Sequence, residues 1–453
     1  MSNNFRSADR LTPYLLPPSV NEWLPEKHLA RFVVEVVGQL NLTLFKDAYS
    51  GRGSKAYSPA VLLSLLFYGY ATGVFSSRKL ERSTYDSVAF RYVCANEHPD
   101  HDTIAAFRKR FLVELEATFV QILQIAQQMK VFKLGKISLD GTKMHANASK
   151  HQALSWQHAC DLEKKIKEEV ARLIRLAEEA DTEDIPDGMD IPEELNRREM
   201  RLKAIADAKA EIERRAAEKD AEAKREYEEK LAAREAKEKE SGKKSGGKKP
   251  AEPKQGPDAK DQVNLTDPES RIMPLSGGGF EQSYNAQACV DVDSMLVVTN
   301  HITQNANDKK EIEPALNALN SLPASLGKVD SLLADAGYFS RKNIDLCAKE
   351  GIQPYISTNR DKHNLTLEQR FPKEPEPIEP SADAVTQMTH RMKTSEGRSL
   401  YAKRKQTVEP VFGIIKSAMG FRQFLLRGLK AVRGEWNLVC MAWNIKKLYA
   451  LGQ

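Results

Sequence analysis

Cysteine is scarce in this sequence, with five residues among 453, and no two of them form a Cys-x-x-Cys pair. This scatter argues against a disulfide framework and against a structural zinc site, and it favours a reducing compartment. The longest apolar runs, such as AVLLSLLFYGYA at 60–71, are shorter than the roughly 18 residues that a membrane span needs. The first residues, MSNNFRSADRL, do not combine a basic segment with an apolar one, so we expect no secretory signal. The sequence predicts an intracellular protein without a membrane anchor.

The chain as a whole also lacks a large excess of one charge, since its formal net charge is only +5. The distribution is uneven, because the segment 391–447 holds thirteen Lys or Arg but only three acids, Glu396, Glu409 and Glu435. Clustered positive charge is expected of a protein that binds the phosphate backbone of nucleic acid. A basic surface that serves solubility explains the charge equally well. Charge alone leaves both interpretations open and leaves the position of Glu409 unexplained.

Residues 1–130 are predicted to be helical. Apolar residues recur at helical spacing in LPEKHLARFVVEVVGQL, and the very apolar segment that begins at Pro59 is also predicted to be a helix. Several short helices bearing basic side chains suit a DNA-binding module. A helical bundle with a solvated face is the more general explanation for the same pattern. The basic residues concerned are Arg78, Lys79, Arg82, Arg108, Lys109 and Arg110.

An alternating, β-like pattern begins at KISLDGTKMHA (136–146) and returns at SYNAQACVDVDSMLVVTNHIT (283–303), which predicts two strands joined around DVDSM. A capping box formed by Asp308 and Glu311 predicts the start of a helix. VDSLLADAGYFS predicts a strand that ends at Asp335, and a further helix (RKNIDLCAKEG) and strand (IQPYIST) follow. These elements predict an α/β fold with a mixed sheet.

A long charged segment separates the first predicted strand from the others. DLEKKIKEEVARLIRLAEEA has one apolar stripe at helical spacing, DTEDIPDGMDIP (181–192) contains turn residues, and 193–240 is helical in pattern with few large apolar side chains. This order predicts an antiparallel helical hairpin or a coiled-coil arm over 157–240. The low-complexity stretch SGKKSGGKKPAEPKQGPDAKD (241–261) is predicted to be disordered.

Three acids stand out by their position. Asp140 and Asp335 lie where an apolar strand is predicted to end, and Glu409 lies at the start of a helix or within it. Sites in open α/β sheets gather at strand ends, and carboxylates that converge from two strands and a helix suit a pair of hard divalent cations. Each acid taken singly has a plainer explanation. An Asp at a strand end is often a turn or cap residue, and Glu-Pro is a common helix start.

Four motifs occur in order along the chain: SLDGTKMHANASK, GGGFEQSYNAQACVD, LLADAGYFS and RKQTVEPVFGIIKSAMGFRQFLLRGLKAVRGEWNLVCMAWNIKKL. Together they resemble the DDE transposases of bacterial insertion sequences, in particular the group numbered eleven-eighty-two, which is related to the group with a Tyr-Arg-Glu-Lys signature. HLARFVVEVV and HPDHDTIAAFRKRF resemble the N-terminal domain of the same family. The resemblance covers nearly the whole chain outside the charged segment.

The resemblance implies an RNase H-like catalytic domain that binds two Mg²⁺ or Mn²⁺ ions. Asp140, Asp335 and Glu409 match the catalytic triad of the family and would be the metal ligands. The expected domains are a helical DNA-binding domain at 1–130, the first part of the catalytic domain at 131–150, a charged helical insert with a disordered linker at 151–265, and the rest of the catalytic domain with basic helices at 266–453.

The resemblance also implies DNA-binding residues around the glutamate. Tyr401, Arg404 and Lys416 would correspond to the Tyr, Arg and Lys of the signature. Lys416 follows Glu409 by seven residues, which keeps it on the same helical face. Arg404 departs from the signature by one residue while Lys405 stands at the usual spacing, so the sequence does not decide between them. The remaining expected DNA contacts are Arg422 and Arg427 in the basic segment and Asn285 and Gln287 in the SYNAQ motif.

The activity that the resemblance implies is transposition. Such an enzyme hydrolyses a phosphodiester at each element end and joins the freed 3′-hydroxyl to target DNA, with no covalent link between protein and DNA. Its partners would be the terminal inverted repeats, target DNA and a second copy of the chain, in the bacterial cytoplasm and associated with the nucleoid. Two alternatives stay open: an RNase H-like nuclease without strand transfer, and a DNA-binding derivative that has lost catalysis.

Overall fold

The structure, a computed structural model, describes residues 19–49, 56–180, 191–241, 249–275, 277–358, 373–379 and 381–452. The N-terminal region is helical, as predicted. Almost every residue of its third helix is buried, and the first and fifth helices pack against it, so this apolar helix lies at the centre of the region. The helices are α1 (Leu29–Gln39), α2 (Thr43–Asp47), α3 (Pro59–Ala71), α4 (Ser77–Asp86), α5 (Val88–Val93), α6 (His101–Arg110) and α7 (Leu112–Gln128).

A mixed sheet of six strands follows, as the alternating segments predicted. Its order is β4–β5–β1–β7–β8, and β6 pairs with β5 along the edge that β4 also uses. The short strands β2 and β3 form a separate sheet. The strands are β1 (Leu134–His145), β2 (Ala153–Ser155), β3 (Gln262–Asn264), β4 (Arg271–Pro274), β5 (Phe280–Asp291), β6 (Val297–Thr303), β7 (Gly327–Ala334) and β8 (Gln353–Ile356).

The central strand β1 has two neighbours of unequal length. It pairs antiparallel with β5 from Ile137 to His145, but its parallel pairing with β7 ends at Ser138. As predicted, the β-like segment runs past Asp140: a run of buried residues in β1 ends just before it, and pairing with β5 carries the strand on for five more residues. The pairs between β1 and β7 nevertheless end at Ser138, so Asp140 lies where the parallel part of the sheet stops, and the same edge of β1 is next used at His145, which bridges to Gln423.

Two long helices, α8 (Trp156–Ala180) and α9 (Ile191–Ser241), leave the sheet after β2 and pack against each other. Their ion pairs run in opposite chain directions, since Glu163 pairs with Lys209 at 2.7 Å and Glu169 pairs with Arg198 at 2.9 Å. The helices are therefore antiparallel. At their base the two helices share a small apolar core with β2 and β3. Its buried residues are Leu154, Ala159, Ile166, Ile205, Ala208, Ile212 and Val263.

Two predicted features of this segment fall partly outside the described residues. The predicted turn at 181–192 is described only at its last two residues, and 242–248 of the predicted disordered stretch are likewise outside. The described end of that stretch contacts α9. Gly256 donates its N–H to Asp220 at 2.6 Å, and Asp258 pairs with Lys219 at 3.3 Å. Around Gly256 and Asp258 the chain therefore differs from the prediction, because charged side chains of α9 hold it.

The sheet is covered by α10 (Ile312–Asn320), α11 (Arg341–Lys349) and four C-terminal helices: α12 (Ala384–Lys393), α13 (Ser395–Ala402), α14 (Arg404–Ser417) and α15 (Leu429–Leu451). α15 packs on β6, α3 and α7, so it joins the sheet to the N-terminal helices. Trp436 and Trp443 of α15 donate their indole N–H groups to the carbonyl oxygens of Gln287 and Met295, so both pack in the core. None of the helices in the described part of the chain has the length and apolar character needed to cross a membrane.

A buried carboxylate ties these parts together. Glu435 of α15 has no exposed surface and accepts hydrogen bonds from the Leu425 and Leu426 N–H groups at 2.9 and 3.0 Å and from the Tyr70 hydroxyl at 3.1 Å. The Arg108 guanidinium lies 4.0 Å away and also donates to Tyr70. Glu435 is thus a structural acid, because it connects α3 and α6 with the segment that precedes α15.

We expect Glu435→Ala to lower the free energy of unfolding by roughly 3–5 kcal/mol, since it leaves the buried charge of Arg108 without its counter-ion and two N–H groups without their acceptor. Urea denaturation followed by tryptophan fluorescence measures the change. Glu396→Ala is the matched control, because Glu396 is an exposed acid of the same basic segment and its loss should cost less than about 1 kcal/mol. Equal stability of the two variants would contradict the structural role.

Candidate active site

Asp140 and Asp335 lie side by side at the end of the parallel ladder. Ser138 of β1 pairs with Leu333 of β7. Asp140 comes two residues after Ser138, and Asp335 comes two residues after Leu333. β7 ends at Ala334, and the Asp335 carboxylate then accepts the N–H of Gly337 at 2.8 Å in a short 3₁₀ turn. The structure therefore brings together two of the three predicted catalytic acids, from positions far apart in the sequence.

The Asp140 carboxyl is strongly perturbed. Burial raises its pKa to about 7, and the negative charges of Asp335 and Asp308 act in the same direction. A hydrogen bond from the Gly141 N–H, at 2.8 Å, and the charge of Arg404 oppose the rise without cancelling it. A desolvated carboxyl among like charges is a common mark of a functional site, because the surplus negative charge favours a bound cation.

Arg404 connects Asp140 with the third predicted acid, Glu409. Its Nη1 lies 3.4 Å from an oxygen of Asp140, and its Nη2 lies 2.9 Å from an oxygen of Glu409. The Arg404 side chain is only 8% exposed, whereas that of Glu409 is 46% exposed. The Arg404 guanidinium also lies over the ring of Tyr401, 5.9 Å from its centroid. Arg404 is thus an internal counter-ion of the acids.

The two candidates for the signature arginine differ in exposure. Arg404 is buried between carboxylates, while Lys405, the next residue along α14, is exposed at the surface. Tyr401 is half-buried and packs beside Leu400 and Tyr355. In this conformation Lys405 is the better placed of the two cations to meet a phosphate from solution.

Asp308 is a site residue that sequence reasoning missed. Its carboxylate accepts hydrogen bonds from the side-chain amides of Asn285 at 2.7 Å and Gln287 at 2.6 Å, and Lys143 lies 3.6 Å away. The predicted capping box is wrong: α10 begins at Ile312, and the Asp308 side chain turns to the two amides instead of capping the helix. The available signal was the pair of amides at alternate positions of β5, which share one face of the strand.

Asn285 and Gln287, predicted as DNA contacts, have no exposed surface. Besides donating to Asp308, Gln287 accepts a hydrogen bond from the hydroxyl of Tyr338, which is itself buried. Tyr284, on the opposite face of β5, donates its hydroxyl to Asp267 at 2.9 Å and is packed in the core. The face of β5 next to the acids therefore holds side chains in place within the protein.

The remaining predicted DNA-binding residues lie along the end of β1. Lys416 donates to the Thr142 hydroxyl and to the Lys143 carbonyl, the latter at 3.0 Å. Burial lowers the pKa of Lys416, and the neighbouring charge of Lys143 adds to this effect. Arg422 and Arg427 are exposed, and each uses its Nε to hold a backbone carbonyl, of Lys416 and Asn147 respectively.

The predicted metal ligands fit a divalent cation by their chemistry but are incompletely gathered. Carboxylate oxygens are the ligands that Mg²⁺ prefers, and Asp140 and Asp335 share one strand end. In the described residues, no group of three or more His, Cys, Asp or Glu side chains is close enough to hold a metal ion. Glu409 does not join the two aspartates because the Arg404 guanidinium lies between Asp140 and Glu409.

Comparison with protein families identifies two regions of the chain. Residues 18–110 match a family described as a transposase domain (DUF772), and residues 263–445 match a family described as a transposase DDE domain. Neither a curated protein nor a solved structure matches the chain. The two family matches support a DDE transposase of the insertion-sequence type, and the second covers Asp335 and Glu409.

The raised pKa of Asp140 predicts a pH-dependent cost to stability. Between the ordinary Asp pKa of 3.8 and about 7, the folded protein holds a proton that the unfolded chain has lost, so the free energy of unfolding falls as the pH rises. We expect Asp140→Asn to be more stable than the wild type at pH 8, by an amount on the order of a few kcal/mol, with the difference disappearing towards pH 4.

Thermal unfolding of both proteins at several pH values, in EDTA, measures this difference. Asp330→Asn is the control, since Asp330 is an exposed acid in the first half of β7 and should give no gain at pH 8. A wild type that is as stable as Asp140→Asn at pH 8 would show that the carboxyl ionises without cost.

Proposed function

We propose that this chain, with its two transposase domains, is the transposase of an insertion sequence of the group numbered eleven-eighty-two. It would hydrolyse a phosphodiester at each element end and then transfer the freed strand into target DNA. The observation that carries the proposal is the pairing of Asp140 and Asp335 at one strand end, with Glu409 linked to them through Arg404. Acids placed in this way suit metal-assisted phosphoryl transfer.

The topology supports an RNase H-like catalytic domain. β6, β5 and β1 form an antiparallel set, and β7 and β8 then continue the sheet parallel to β1. In this arrangement β1 and β7 are neighbours although Asp140 and Asp335 are 195 positions apart (335 − 140), which is how one sheet can gather distant carboxylates.

Asp140, Asp335 and Glu409 would hold two Mg²⁺ or Mn²⁺ ions. Bound divalent cations supply an activated attacking oxygen and neutralise the charge that develops around phosphorus. For Glu409 to take part, Arg404 has to release it, and Asp140 has to be ionised, which a nearby cation favours. Glu409 is half exposed on α14, so its side chain can turn without unpacking the helix.

The cations around the acids would hold the DNA. Lys405, Arg422 and Arg427 are exposed, and Lys416 anchors the end of β1 beside the acids. Contacts of this kind fix a duplex by its phosphates and carry no sequence information. Tyr401 would contribute from the last turn of α13. A DNA contact by Asn285 or Gln287 stays a prediction, and the burial of both residues favours the different role of holding Asp308.

The reaction would proceed in two steps without a covalent protein intermediate. Water first cleaves a phosphodiester and leaves a 3′-hydroxyl on the element end. That hydroxyl then forms a new bond to a target phosphorus, and the target strand leaves with its own 3′-hydroxyl, so the number of phosphodiester bonds is conserved in the second step. Because two ends are processed together, we expect the chain to work as a homodimer in the bacterial cytoplasm, and the helical pair α8–α9 is one candidate for the contact.

Incubation of the protein with Mg²⁺ and supercoiled plasmid carrying the element ends tests the proposal. We expect nicks at those ends and joined products with the wild type. Asp335→Asn should reduce both by at least about 100-fold, more than outer-shell residues cost at metal sites, because it removes a ligand. Asp330→Asn, the same change at an exposed acid in the first half of β7, should leave both products unchanged.

The rival functions give different products. Cleavage without joining, and without preference for the element ends, would identify a nuclease. Retention of the ends in a gel shift with no cleavage by any form would identify an inactive DNA-binding derivative. Cleavage by Asp335→Asn at the wild-type rate would show that the assigned site is wrong.

A second experiment separates Lys405 from Arg404. We expect Lys405→Ala to weaken DNA binding for all sequences and to reduce the slope of log affinity against log salt by about 1, as the loss of one phosphate contact does. Arg404→Ala should leave that slope nearly unchanged, because the guanidinium faces Asp140 and Glu409. Fluorescence anisotropy over a range of salt concentrations gives both slopes, and an unchanged slope for Lys405→Ala would exclude its phosphate contact.

A further inference from the structure

Asp308 occupies a position that the fold prepares in detail. It lies on the loop between β6 and α10, and its carboxylate receives two amide hydrogen bonds from β5 in addition to the charge of Lys143 on β1. Both amide side chains are fully buried, so their orientations are fixed by packing. Three donors from two neighbouring strands converge on one acid, which is how proteins hold a functional carboxylate in a single geometry.

The two glycines that follow the catalytic aspartates leave room for this acid. A Cβ on Gly141 would lie 2.7 Å from Asp308 Oδ1 and 2.0 Å from the Gln287 amide nitrogen. A Cβ on Gly337 would lie 3.8 Å from Asp308 Oδ2 and 3.0 Å from Asp335 Oδ1. One carboxylate oxygen of Asp308 thus borders the backbone next to Asp140, and the other borders the turn that holds Asp335.

A buried oxygen beside Asp308 is left without a donor. Oδ1 of Asn285 has no hydrogen-bond partner among the described residues, although its amide nitrogen is fully used. It lies 2.9 Å from the same point beside Gly141 that Asp308 Oδ1 approaches to 2.7 Å. A buried acceptor without a donor is costly. An acceptor next to a carboxylate is the environment in which a cation, or the water bound to one, is stabilised.

We propose that Asp308 is a fourth acid of the active site and binds a divalent cation together with Asp335. The proposal rests on the proposed function, because it places Asp308 at the same metal site. It also explains why the amides of Asn285 and Gln287 both bond to Oδ1 of Asp308. They would orient the other carboxylate oxygen, Oδ2, towards the turn at Asp335. The negative charge of Asp308, which acts on Asp140 and on Tyr338, is then part of the attraction for the cation.

Isothermal titration of the full chain with Mn²⁺ alone tests the proposal, with thermal unfolding in EDTA as a second measurement. Asp308→Asn keeps the size of the side chain and an oxygen that accepts the amides, but it removes the charge. We expect about tenfold weaker Mn²⁺ binding, within the range for residues that support a metal site, and an unchanged melting temperature in EDTA. Asp330→Asn is the control and should bind Mn²⁺ as the wild type does.

Asp335→Asn separates this proposal from the proposed function. If Asp335→Asn loses Mn²⁺ affinity while Asp308→Asn binds like the wild type, Asp308 is not a ligand and the proposed function is unaffected. If neither variant differs from the wild type, the metal site itself is wrongly placed. Should Asp308→Asn melt at a lower temperature in EDTA, Asp308→Glu decides: recovered Mn²⁺ affinity supports a ligand, and no recovery overturns the proposal.

Discussion

The short parallel ladder between β1 and β7 determines the arrangement of the candidate site. It stops at Ser138 and Leu333, and two residues later each strand delivers an aspartate to the same partly buried place. Two like charges so close together are unfavourable unless cations accompany them. The structure meets this constraint with Arg404, which binds Asp140 and Glu409, and with Lys143, which faces Asp308. These cations allow several negative charges to lie close together in the folded protein.

The parts of the fold that were predicted from sequence are those with local causes. Strand alternation located β5, β6 and β7, and the end of an apolar run located Asp335, because burial on a sheet imposes its period on neighbouring residues. The contacts that complete the site are not local. Arg404 meets Asp140 across 264 positions of the chain, and no sequence pattern announces that pairing. Asp308 is a second case in which a contact distant in sequence could not be predicted. The residues around it are typical of a helix cap, but its carboxylate accepts hydrogen bonds from a neighbouring strand instead.

The acids of the basic C-terminal segment illustrate how one residue type takes different roles in different surroundings. Glu435 is buried, and backbone N–H groups and Tyr70 satisfy it within the protein. Glu409 is half exposed and held by one arginine, so it keeps the freedom to change partners. The two regions that match transposase families share one hydrophobic core, which runs from Leu24 to Leu448 through α3 and α15. The N-terminal helices are therefore fixed relative to the acids.

The base of the α8–α9 pair fixes the points at which this segment leaves the rest of the protein and returns to it. β2 and β3 pair antiparallel, and Trp156 donates its backbone N–H to the Asp261 carbonyl at 2.8 Å, so the chain departs and returns at adjacent points. A segment that is closed at its root in this way can lengthen, shorten or diverge in composition while the strands on either side keep their spacing.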